Sequence, residues 1–119
     1  MHAAQQSQSV SSNVEKIRTI RPLFELGQVV GTRAFVDLFP HEGQRANAVN
    51  LIMKKYHFGD WGTVSKTSQK QNEEALNEGN PARIFAKYTI KAQSGKYVEI
   101  FVITEHDRSV TTLMLPSDY

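Results

Sequence analysis

Residues 83–115 read RIFAKYTIKAQSGKYVEIFVITEHDRSVTTLML. Ile84, Ala86, Tyr88 and Ile90 alternate with Phe85, Lys87, Thr89 and Lys91, the two-residue period of a half-buried strand. Ser94-Gly95 signals a hairpin turn. Between Tyr97 and Glu105 the run Ile100-Phe101-Val102-Ile103 is apolar on both faces, which places that strand inside a sheet. His106-Asp107-Arg108 makes the next tight turn, and Pro116 ends a third strand that begins near Ser109. The stretch therefore predicts an antiparallel meander over 83–91, 97–105 and 109–115. Ile100 and Val102 face one way, Phe101 and Ile103 the other, all largely buried.

Upstream the period changes to that of helices. From about Gly43 to Tyr56, Ala46, Val49, Ile52, Met53 and Tyr56 share one face, with Arg45, Asn47, Asn50 and Lys54 on the other. Before it, Thr32 is placed to cap a short helix carrying Ala34, Phe35, Leu38 and Phe39 and ended by Pro40. After it, Gly59-Asp60-Trp61-Gly62 is a turn. Ser68 and Gln71 have the spacing of a capping box and Gly79 that of a residue just past a helix end, predicting a helix over about 69–78. Its only apolar residues are Ala75 and Leu76, so it lies on the surface. Gln28-Val29-Val30 between two glycines reads as a short strand. Val14, Ile17, Ile20 and Leu23 recur every three residues, consistent with a helix reaching the Arg21-Pro22 boundary or with a segment that orders only against a partner. Residues 1 to about 13 are polar, small and aperiodic, the texture of a disordered tail. The fold class expected is α+β: one domain over 14–119, with three helices on a four-stranded, largely antiparallel sheet.

Composition narrows the function classes. At 119 residues there is room for one modest core. The absence of cysteine removes disulfides and thiolate metal sites. Fourteen basic against twelve acidic residues leave a net charge of +2, no electrostatic footprint for nucleic acid. The longest wholly apolar run, Ile100 to Ile103, is far too short to span a bilayer, and the N-terminus has no apolar core of a secretion signal. A cytoplasmic protein without a membrane partner is the expectation.

Few residues invite chemistry. His2, His41, His57 and His106 contain no pair at a zinc-ligand spacing, so no metal and no cofactor is implied. His41 begins a helix and His57 ends one, where a cationic side chain complements the helix terminus. Glu105, His106, Arg108 and Lys87 are the best acid, base and cation set for a metal-independent nuclease or toxin-like enzyme working on a sheet face. Lys96, Thr111 and Thr112 accompany them, but polar residues collect at strand ends in any case. Phosphate-binding glycine loops and a nucleophile elbow are absent. Phe85, Tyr88, Tyr97 and Phe101 are sheet aromatics, expected in the core rather than as a stacking platform. Asp60 and Trp61 are the candidate binding residues, since tryptophan is enriched at energetic centres of interfaces. The alternative use of Trp61 is structural: mostly buried where helices meet the sheet, with Asp60 exposed at the turn.

Several of these segments occur together in a known family. Gly59-Asp60-Trp61-Gly62, Asn72 with Ala75-Leu76, Ile103-Thr104-Glu105, Asp107-Arg108-Ser109-Val110-Thr111-Thr112 and Leu115-Pro116-Ser117-Asp118-Tyr119 resemble small bacterial proteins of plasmids, phages and integrated elements. These are labelled "plasmid-related protein" or "type I restriction endonuclease subunit M". The resemblance runs from about Leu26 to Tyr119 and is closest over the last sixteen residues. It implies a genetic setting and not a reaction. The methylase wording finds no counterpart here, because no Asn/Asp-Pro-Pro-Tyr motif is present. Where the family has a histidine three residues before the first glycine of the Gly-Asp-Trp-Gly turn, this chain has Tyr56. With the setting and the missing catalytic motif, the expected function is stoichiometric binding to a host protein, such as a defence complex, with no turnover. A nuclease or a nucleic-acid accessory protein are the alternatives.

Overall fold

A computed structural model describes residues 21–77 and 79–119. The expected tail and the helix expected between Val14 and the Arg21-Pro22 boundary lie outside the described residues, apart from the end of that helix. In chain order the elements are β1 (Gln28–Gly31), α1 (Arg33–Asp37), α2 (Glu42–Tyr56), α3 (Lys66–Ala75), β2 (Ile84–Lys91), β3 (Tyr97–Thr104) and β4 (Val110–Met114). A 3-10 turn, Pro116–Asp118, follows. The class is α+β, with three helices and a four-stranded sheet in the order β1-β4-β3-β2. β3 runs antiparallel to both neighbours, with Tyr88 opposite Ile100 and Val102 opposite Leu113. β1 joins β4 in parallel, Val29 beside Thr111. The meander is as its two-residue periods require, and β3 is internal.

All three helices serve one face of the sheet. Ile84, Ala86 and Tyr88 of β2, Ile100 and Val102 of β3 and Leu113 of β4 form that face. Phe35 and Phe39, Ile52 and Tyr56, Trp61, Val64 and Ala75 close over it. On the opposite face Ile103 is buried, while Phe101 stays partly exposed because no helix among the described residues covers it. There the chain end supplies the cover. Tyr119 stands edge-on to Phe101, with ring centres 5.9 Å apart, and Phe101 meets Phe85 at 4.9 Å. Asp118 fastens that end by accepting from the Thr32 hydroxyl at 2.7 Å and from Leu115 N–H at 3.0 Å.

The helix cap expected at Thr32 is present, its Oγ1 accepting from Phe35 N–H. α2 begins after His41, whose ring accepts from Gln44 N–H. The cap expected at Ser68 is corrected. Ser65, not Ser68, caps α3: its hydroxyl accepts Ser68 N–H at 3.1 Å, so Ser68 sits inside the first turn and the helix starts and stops three residues early. Asn77 handles the exit, its side chain accepting from Gly79 N–H.

Candidate functional site

The Gly59–Gly62 turn is fastened on every side. Gly59 and Gly62 both adopt positive φ (92° and 74°). At Gly62 a Cβ would overlap the Lys87 carbonyl, so only glycine lets the two backbones meet. That approach makes a short parallel pairing: Lys87 N–H donates to Trp61 O at 3.1 Å and Thr63 N–H to Lys87 O at 2.8 Å. Asp60 turns a carboxylate oxygen back to Gly62 N–H, and its carbonyl accepts the Tyr88 hydroxyl. Trp61 is 6% exposed, packed against Tyr56 and Phe24, whereas the Asp60 carboxylate is exposed. The two candidate binding residues thus divide the labour: Trp61 holds the turn and Asp60 faces outward.

This turn covers one stretch of the free edge of β2. Along that edge Phe85, Lys87, Thr89 and Lys91 turn their backbone groups away from β3. The Asn72 side chain takes both groups of Phe85, donating to its O at 2.7 Å and accepting from its N–H at 3.0 Å. Residues 61–63 take both groups of Lys87. At Thr89 and Lys91 the edge is exposed, and no backbone partner outside the ladder faces it among the described residues. A groove of about 610 Å³ opens beside those two residues, walled by Ala48, Leu51, Ile52 and Lys55 of α2 and by Tyr88 and Ile90. Asp60 and Thr63 stand at one end and Phe39 at the other. Leu51 is 64% exposed there.

Lys87 stands apart from the rest of the acid–base set. Lys87 pairs with Phe101, four residues along β3 from Glu105, about 13 Å at strand rise. Arg108 is a clamp: its guanidinium donates to Ala75 O (2.8 Å), Ala82 O (2.6 Å) and Glu105 O (3.1 Å), and sits over the Phe24 ring. The residue takes φ +60°, the left-handed turn position. Glu105 pairs with Arg83 at 3.9 Å, and His106 is exposed. Beside the turn, the Ser109 hydroxyl and backbone N–H hold the Asp107 carboxyl below the usual carboxylate range. His106 and Arg108 do border a second groove of about 460 Å³ with Pro22, Phe24 and Leu76, but neither Lys87 nor Glu105 reaches it. Among the described residues no three His, Asp or Glu side chains gather as metal ligands, and no helix is long and apolar enough to cross a membrane.

Tyr56 serves the interior. Its hydroxyl lies 2.7 Å from Thr104 Oγ1, which lies 2.7 Å from Thr111 Oγ1, which donates to Leu26 O. Each hydroxyl has one proton, so the last donation sets the polarity of the chain: Tyr56 donates to Thr104 and Thr104 to Thr111. Burial pushes the Tyr56 and Tyr88 hydroxyls well above the ordinary tyrosine pKa.

No family model, curated protein or solved structure matches this chain. Leu51, Asn72 and the open edge escaped the sequence reading. Leu51 did leave a trace, as a large apolar residue off the buried stripe of α2. The edge left none, because which strand ends a sheet depends on topology.

Proposed function

We propose that the chain is a small cytoplasmic accessory protein of a mobile genetic element that binds a host protein stoichiometrically, as an inhibitor of a defence complex would. The observation that carries the binding reading is the apolar groove beside the uncovered end of β2. Soluble proteins normally protect such an edge, and here protection lapses at Thr89 and Lys91, between Lys87 and Gln93, whose N–H donates to Leu38 O. The resemblance to plasmid- and phage-borne proteins supports the genetic setting. No cofactor enters this reading.

Leu51→Glu tests it, because residue 51 is exposed and its replacement leaves the core untouched. The purified protein should retain a host partner at a fixed molar ratio, and the variant should lose it with an unchanged melt. Retention by the variant would remove the groove from the function. Incubation with RNA and DNA, beside His106→Ala, tests the nuclease alternative directly: cleavage lost in that variant would replace binding by catalysis.

One observation favours nucleic acid as a second reading. Phe85, Phe101 and Tyr119 cluster on the helix-free face, near Lys87 and Arg83. Aromatic rings beside cations on an open sheet can stack unpaired bases.

A further inference from the structure

We infer that the groove receives an extended segment of a partner protein that adds to β2 as a fifth strand and alternates apolar with acidic side chains. The inference rests on the groove being the binding site and goes on to say what fills it. Three observations converge. First, the pairing is already begun: Asn72 and then residues 61–63 satisfy successive outward backbone groups of β2, and the next two, at Thr89 and Lys91, are exposed. A segment laid there continues the same edge. Second, the pleat assigns its side chains. Residues opposite Ile90 point toward Leu51 and Ile52 and must be apolar, while those opposite Thr89 and Lys91 point to the other face.

Third, charge selects the partner. Lys55 and Lys91 line the groove and Lys87 lies one pleat away. Asp60, the one acid lining the groove, already accepts Gly62 N–H, and Glu99, opposite Thr89 on β3, stands between Lys87 and Lys91 and leaves that face net positive. Carboxylates on the added strand meet lysines. A second copy of this chain pairing through the same edge would bring lysines against lysines, which disfavours self-addition. The opposite sheet edge, at Val29 and Gly31, borders a smaller groove of about 380 Å³ whose Glu42 and Arg45 cancel.

Fluorescence anisotropy with the full chain decides the matter. The probe is a labelled peptide of roughly eight residues alternating valine with glutamate, compared with its lysine-for-glutamate counterpart and with a form N-methylated on the backbone amides facing β2. Saturable binding of the glutamate peptide is expected, weakened about tenfold or more by Lys91→Glu and by Leu51→Glu and unaffected by Val29→Glu. The lysine peptide and the N-methylated peptide should bind about tenfold more weakly or not at all. Equal binding of both charge forms, full affinity of the N-methylated form, or preference for an oligothymidylate competitor would overturn the inference. If none of the peptides binds while Leu51→Glu still abolishes host-partner capture, the groove stands and the strand-addition inference falls. If Leu51→Glu leaves that capture intact, both fall.

Discussion

Tyr56 shows how one side chain joins stability to pH. Its donation to Thr104 links α2 to β3, and through Thr111 to the segment entering β1. Tyr56→Phe removes the first donor and leaves a buried hydroxyl one partner short, a loss of about 1–3 kcal/mol in urea denaturation. The pH dependence follows from the raised hydroxyls. Tyr56 and Tyr88 remain neutral in the fold while the unfolded chain ionises near the ordinary value of about 10. Their contribution is complete below about pH 10 and is lost as pH rises toward the folded values. Urea midpoints should fall steeply above about pH 10, and less steeply in Tyr56→Phe. Trp61 gives the second prediction at this scale. Enclosed by Tyr56 and Phe24, it should emit at blue-shifted wavelengths and resist acrylamide, and Trp61→Ala should cost about 3–5 kcal/mol.

At the scale of elements, α3 is held by an unusual attachment. Of its residues only Asn72 and Ala75 are buried, too little apolar area to fasten a helix. The Asn72 amide replaces that area by imitating a strand residue, donating to and accepting from Phe85. Arg108 adds a second tie at the helix end through Ala75 O. Asn72→Ala should cost about 1–3 kcal/mol by orphaning both backbone groups of Phe85. In hydrogen exchange, protection should drop first at the Phe85 amide and across Lys66–Ala75, before the meander opens. Uniform loss across the protein would show that α3 and the sheet unfold as one unit.

Across the whole molecule, helices cover one face of the sheet and, among the described residues, only the chain end covers the other, and the two faces respond differently to truncation. Ile100 and Val102 are fully enclosed between β3 and the helices, so Ile100→Ala or Val102→Ala should cost about 1–4 kcal/mol through lost burial and a residual cavity. Phe101, on the barer face, keeps part of its ring in water under Tyr119, and thermal melts should show a smaller loss for Phe101→Leu than for Ile100→Ala. The same asymmetry sets the interaction surfaces. The groove lies where α2 overhangs the end of β2, and the aromatic cluster lies where no helix reaches.

Periodicity and turns carried the meander, because alternation along 83–115 puts Ile84, Ala86, Ile100 and Val102 on one face and the turn at Ser94-Gly95 sets their register. The cap at Thr32, the helix start at His41 and the punctuation by Pro40 were equally local, since each depends on a few consecutive residues. The start of α3 was misread for the same reason: Ser65 and Ser68 offer equivalent hydroxyls, and only the placement of Asn72 against Phe85 selects between them. The glycine-bounded turn left Trp61 open to a partner or to the core, and its place between helices and sheet, against Tyr56 and Phe24, is the buried one. The obligation of Gly62 was not legible, because it arises from the Lys87 carbonyl, far along the chain. The parallel docking of β1 on β4, the separation of Lys87 from Glu105, His106 and Arg108, and the open edge at Thr89 and Lys91 were decided by tertiary structure alone. Each depends on which segments become neighbours, and neighbours distant in sequence leave no mark in local patterning.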